Sequence, residues 1–131
     1  MPSDRPVIDE LVTFVYSSDL DRSHRFYRGI LGLEMVLDQG ACRIYRVSSS
    51  GYVGVCNHRE PEPAGVVVTI VSEDVDGWHA TLTGAGISTD GPPRHNDRFD
   101  IYHFFATDPD GHHIEFQRFG SSWPGPEGAK G

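Results

Sequence analysis

Glu115 stands in an alternating run, His113-Ile114-Glu115-Phe116-Gln117, which sets His113, Glu115 and Gln117 on one face of a strand and Ile114 and Phe116 on the other. A carboxylate flanked by residues that favour burial is either solvated on an open sheet face or aimed into a pocket. His103 and Phe105, within the apolar run Ile101 to Ala106, share a strand face, and the turn residues Asp108-Pro109-Asp110-Gly111 fold that strand back so that both lie near Glu115 and His113. An imidazole and a carboxylate facing one cavity make an acid/base pair that needs no metal. The plainer reading of the same pattern is a surface histidine and a solvated acid. Thr13, in LVTFVY, offers either a hydroxyl to a ligand or β-branched strand packing, and Tyr45, with Arg43, Tyr52 and Gly54, offers a second wall. His79, His95 and His112 read as loop or helix-surface residues, and His24 and Arg25 as an exposed helix face. Cys56, followed by Asn57-His58, carries a hint of a thiol nucleophile.

Such groups need elements to hold them, and hydrophobic periodicity supplies these. Leu11 to Tyr16 predicts a buried strand, and Ser18-Asp19 provides N-cap chemistry. Leu20, Phe26, Tyr27, Ile30 and Leu31 fall near helical spacing, with Gly32 as the stop. Glu34 to Gln39, Cys42 to Val47 and Tyr52 to Cys56 predict three strands in a meander, and the polar, proline-rich Asn57 to Gly65 a connector. The pattern then restarts. Val66 to Val71 predicts a strand, Glu73-Asp74 a cap, and Val75, Trp78, Leu82 and Ala85 a helix face closed by Gly86; Gly91 to Asp97 reads as a loop before the final hairpin. The whole predicts an α+β fold in which one domain, residues 1–131, repeats β-α-β-β-β over about 9–57 and about 65–119. Met1 to Pro6 and residues 120–131 read as mobile or disordered ends, with Trp123 free to dock.

Composition narrows the partners. The formal net charge is −8, from 19 Asp plus Glu against 11 Lys plus Arg, and no basic stripe is available to neutralise phosphates, which argues against nucleic acid. The seven histidines are scattered, with no His-x-x-x-His spacing. Two cysteines, Cys42 and Cys56, are too few for a disulfide framework. No segment reads as a membrane span or a signal peptide, so the expectation is a cytoplasmic protein with reduced thiols and no membrane partner.

An Asp-capped helix ending FYRGILGL, repeated punctuation and a closing DPDGHHIEF give the chain, over roughly Asp9 to Phe119, its likeness to one family. It resembles the vicinal oxygen chelate superfamily of glyoxalases, fosfomycin resistance enzymes, bleomycin-binding proteins and extradiol dioxygenases. The resemblance implies two modules whose mixed sheets curl into a cup, in a homodimer. It also implies that the residues five and three before the DPDG aspartate, His103 and Phe105, point into that cup. In metal-dependent relatives the ligands come from the first strand, the second module's first strand and the final glutamate; here those positions fall on Leu11 (or Val12), Val66 (or Val67) and Glu115. Two aliphatic residues imply a dismantled metal site and no cofactor. The implied function is binding of an organic, often cationic, small molecule, with Thr13, Phe105, His113 and Tyr45 as ligand contacts, Glu115 and His103 as the polar pair, and Trp78 or Trp123 as further aromatic walls. The rival is a glyoxalase-like lyase or isomerase, or a dioxygenase-type enzyme. It would be metal-free through His103 and Glu115, or hold a divalent metal through unaligned ligands such as His58 or His113.

Overall fold

The computed structural model describes residues 5–121, so the first four residues, Trp123 and the tail from 122 onward lie outside the described part of the chain. The chain forms two compact units, Met1–Glu62 and Pro63–Gly131. Each runs strand, helix, three strands.

In the first unit β1 (Leu11–Tyr16), α1 (Leu20–His24), β2 (Glu34–Asp38), β3 (Cys42–Arg46) and β4 (Gly51–Cys56) build a sheet in the order β1-β4-β3-β2. β1 is parallel to β4 and the meander β2-β3-β4 is antiparallel. Asp19 caps α1 by accepting the Arg22 N–H at 3.1 Å, leaving one fewer helix-start donor unpaired. The helix continues as a π turn over Arg25–Ile30 and stops at Gly32, whose φ of +74° suits a residue without a side chain. Adjacent Phe26 and Tyr27 are both buried and meet edge-on, with ring centroids 4.9 Å apart. Tyr27 stacks on Tyr45, which tethers the helix to the sheet.

In the second unit β5 (Val67–Val71), α2 (Val75–Gly84), β6 (Arg94–Asn96), β7 (Ile101–Thr107) and β8 (His113–Phe119) repeat that order as β5-β8-β7-β6. Asp74 caps α2 by accepting the Gly77 N–H at 2.9 Å. Beneath α2 the apolar parity of each strand closes a core: Phe104, Ile114, Phe116, Val75 and Leu82 have no measurable exposure. Phe116 is stacked between Trp78 and Phe104, each at 5.3 Å. Each such ring contributes roughly 1.5–3 kcal/mol by burial alone.

The reading of Asp108–Gly111 as a turn holds, and the structure adds its lock. Pro109 leads, Gly111 takes φ +89°, and the Asp108 carboxylate accepts from the Asp110, His112 and His112-ring nitrogens. His112 is therefore buried rather than a surface loop residue. Two other expectations change. Gly91 to Asp97 is not all loop: Arg94–Asn96 pairs with His103, Tyr102 and Ile101 as β6, since the β7 edge offers a ladder that the segment's own residues do not call for. Cys42 and Cys56 are not free thiols but a disulfide, because the β3/β4 register sets them directly opposite each other. Among the described residues no helix is long and apolar enough to cross a membrane.

Candidate functional site on the open face of the second sheet

Register sorts the second sheet's side chains. Val68, Ile114 and Ala106 form one row, and Ile70, Phe116 and Phe104 the next, on the face that α2 covers. The opposite parity carries Thr69-Glu115-Phe105 and Val71-Gln117-His103 across neighbouring strands. The open face thus carries Thr69, His103, Glu115 and Gln117 among apolar residues such as Phe105 and Val71, while the rows under α2 are wholly apolar.

There His103 Nδ1 lies 2.7 Å from Glu115 Oε2. Thr69 donates its hydroxyl to Oε1 at 2.8 Å. Gln117, with its amide nitrogen turned to the carboxylate as its surroundings require, donates at 3.1 Å and 2.9 Å to the two oxygens. Glu115, His103 and Gln117 are 8%, 6% and 6% exposed, so each needs a partner and the cluster supplies it. The Nδ1–H donation to a carboxylate leaves Nε2 as the ring's acceptor, and Nε2 has no hydrogen-bond partner among the described residues. Phe105 meets the His103 ring edge-on at 5.4 Å. The cluster borders a cavity of about 580 Å³ whose other walls include Phe99, Ile101, Phe119 and Asn96. An imidazole fixed in one tautomer beside aromatic walls can accept a ligand's N–H or O–H and, once protonated, return that proton.

A sequence profile of the Glyoxalase/Bleomycin resistance protein/Dioxygenase superfamily matches residues 8–116. The chain belongs to that superfamily. Solved structures with its fold include a glyoxalase/bleomycin resistance protein/dioxygenase from Nocardioides, 18% identical with TM-score 0.72, covering 92% of this chain and 87% of that one. A lactoylglutathione lyase from Agrobacterium tumefaciens is 21% identical with TM-score 0.71, over 91% and 98% of the two chains. An integron cassette protein from the mobile metagenome of the Halifax Harbour sewage outfall is 23% identical with TM-score 0.73, over 86% and 100%. At these identities the likeness is one of fold. No curated protein sequence matches the chain significantly.

Within this superfamily fold the residues singled out from sequence fall into three groups. His103, Phe105 and Glu115 converge on the cavity just described. His113 is exposed beside Val67 and Thr107 in a second cavity of about 510 Å³ on the same face, which shares Phe105 with the first. Thr13 and Tyr45 belong to the first unit's sheet and do not line either cavity. Both lie opposite Val53, on the face of the first sheet that α1 covers, and Tyr45 is fully buried against Tyr27 with its hydroxyl 2.8 Å from His24 Nδ1. Burial raises the Tyr45 phenol pKa above its ordinary value, and the nearby Arg43 opposes that shift. His24 is thereby half-buried rather than simply exposed. Trp78, on α2, is stacked on Phe116 of β8 beneath that helix, and Trp123 lies outside the described residues.

Of the positions the resemblance assigns to metal ligands, Leu11 is exposed at the start of β1 and Val66 precedes β5. The β5 residue that touches Glu115 is Thr69, beyond either valine considered. Thr69 and Gln117 are what sequence reasoning did not weigh. Thr69 is the only hydroxyl in VVVTIV, and parallel pairing with β8 is needed to bring it to the acid.

Proposed function

We propose that this superfamily member binds a cationic aromatic small molecule in the 580 Å³ cavity, with Phe99 and Phe105 against its ring and His103 Nε2 accepting its N–H. The observation that carries this reading is the Glu115-locked His103 ring with an uncommitted nitrogen in an aromatic cavity. A cavity of this size accommodates a drug-sized molecule, and a buried carboxylate facing neutral Thr69 and Gln117 favours a ligand that brings positive charge. Arg94, opposite His103 in the β6/β7 register, is ion-paired with Asp90 at 2.6 Å.

The donor set does not suit the divalent metal that the resemblance implies for metal-dependent relatives. This face pairs one carboxylate with one imidazole and flanks them with Thr69 and Gln117, whose donors already occupy the carboxylate oxygens. Two mutually bonded donors do not fit an ion that takes three or four N/O ligands, so no step is routed through a metal in the second unit. The same dyad suits a metal-free proton-transfer enzyme, because Glu115 fixes the tautomer that leaves Nε2 basic. Recovery of the ligand unchanged after prolonged incubation separates binding from turnover.

Titration with a panel of cationic aromatics, followed by fluorescence or NMR, tests the site. His103→Gln and Phe105→Ala are each expected to weaken the best binder by about tenfold or more, the equivalent of about 1.4 kcal/mol. Equal affinity in wild type and both variants would remove the cavity from consideration. A homodimer belongs to the same proposal: β1 and β5 lie at sheet edges and expose Leu11, Phe14, Val67 and Val71, apolar surface that a second copy would cover. Light scattering coupled to size exclusion reads the mass directly.

A further inference from the structure

Cys42, Cys56 and His58, all in the first unit, bring three metal-ligating atoms within 4.8 Å of one another, and none of the three lines the cavities described above. We infer that reduction of the Cys42–Cys56 disulfide converts this corner into a site for a borderline-soft d¹⁰ cation of the Zn²⁺ class, held by two thiolates and the His58 imidazole.

The argument starts from register. Cys42, Cys56 and Tyr16 form one row across β3, β4 and β1, so their side chains rise from the same face of the sheet, the one opposite α1. The chain turns immediately after Cys56, where the Asn57 N–H donates to Ala41 C=O at 2.9 Å and keeps the two cysteine-bearing strands together. His58, two residues past Cys56, returns over the pair and packs edge-on against Tyr16 with centroids 5.4 Å apart. A staple needs only its two sulfurs. An imidazole held beside both of them by an aromatic neighbour is what a metal site adds, since ring orientation decides whether a nitrogen points at the ion. The Arg59 guanidinium lies over the same Tyr16 ring, 5.7 Å from its centroid.

The chemistry balances. A reductant of the dithiol class transfers two electrons and two protons to the disulfide, giving two thiols while it closes to its own disulfide. Zn²⁺ then displaces one proton from each thiol to solvent and bonds two sulfurs and one nitrogen, leaving a fourth position for water. An oxidant of the disulfide class reverses the sequence: it takes the two electrons from the thiolates, is itself reduced to a dithiol with two protons from solvent, and the re-formed Cys42–Cys56 disulfide releases the ion. Cys56 is buried, Cys42 half-buried and His58 exposed, so the cation has a way in. Thiolate and imidazole together select this class of ion over Mg²⁺ or Ca²⁺.

The test uses the full chain without a tag, in disulfide form and after treatment with a phosphine reductant. Each form is titrated with Co²⁺, whose thiolate charge-transfer absorption reports sulfur ligation, and the bound Co²⁺ is then displaced with Zn²⁺. The expected result is one equivalent bound by the reduced chain, none by the oxidised chain, and loss of the charge-transfer band in Cys42→Ser. His58→Ala alters an exposed residue and leaves both thiols in place; it is expected to raise the Co²⁺ dissociation constant at least tenfold. The inference is overturned if the reduced chain takes up no Co²⁺, if the oxidised chain takes up as much, or if His58→Ala binds as tightly as wild type.

Discussion

The two units repeat one architecture, down to the strand order and the Asp-capped helix, and they differ in what each leaves uncovered. In both, the layer between helix and sheet is apolar and aromatic: Phe26 and Tyr27 from the helical segment against Tyr45 in the first, Trp78 from α2 against Phe116 and Phe104 in the second. The opposite faces diverge. The first carries Phe14 over Gly54, where any side chain would collide with the Phe14 ring, and ends in a disulfide. The second carries a hydrogen-bonded acid, imidazole, amide and hydroxyl beside a cavity. Covered faces are constrained by packing, so a duplicated pattern keeps them alike. Uncovered faces are free to take up chemistry, and among the described residues the buried imidazole–carboxylate pair of His103 and Glu115 lies on the second unit's open face.

The largest expected effect separates covered from uncovered within the second unit. Phe116→Ala should cost about 3–5 kcal/mol in urea unfolding, by opening a void between Trp78 and Phe104, whereas Phe105→Ala, beside an existing cavity, should cost less than half as much. Similar losses from both would mean that the second unit's open face is packed like its core.

Next comes the first unit's staple. Cys42 and Cys56 are 14 residues apart, and closing a loop of about that length stabilises by roughly 3 kcal/mol, so reductant should lower the unfolding midpoint of wild type and leave Cys42→Ser unmoved.

The polar cluster should respond more modestly to a change that keeps its shape. Glu115→Gln replaces a charge-assisted acceptor by a neutral one for the His103 Nδ1–H, a loss of about 1 kcal/mol, and the low-field ring N–H resonance of His103 should move upfield. An unchanged resonance would show that the ring proton is not on the carboxylate.

The smallest effect is that of pH on the hairpin. The hydrogen bond to Asp108 raises the His112 pKa above its ordinary 6.5. A raised folded-state pKa contributes stability that is fully present below the unfolded value and lost as pH rises through the folded one. Wild type should therefore lose stability as pH is raised from 6.5 through that value, and His112→Asn should show less of this slope. The first unit has no counterpart to this locked turn at its β3–β4 connection, where Ser48 and Gly51 exchange only backbone bonds.

Much of this was legible in the residues. Periodicity and punctuation gave the repeated strand-helix-meander, and DPDG followed by strict alternation put His103, Phe105 and Glu115 on one face without any tertiary information. Alternation stops short of saying which face a helix will cover. In CRIYRV both parities mix apolar with polar residues, so Tyr45 reads equally well as a pocket wall, and only packing against Tyr27 assigns it to the core. In HIEFQ the parities are cleanly split, and there the reading of faces agrees with the structure.

Contacts between strands distant in sequence were beyond its reach for a different reason. That Thr69 donates to Glu115, that Cys42 faces Cys56 and that Arg94–Asn96 becomes a strand all depend on register, which backbone pairing sets once the sheet forms. The sequence by itself determined the elements and the parity of their side chains, because both follow from local backbone geometry and the burial of apolar groups. Tertiary structure alone decided which parity met a helix and which residues met each other, because those are properties of pairs of strands rather than of any one of them.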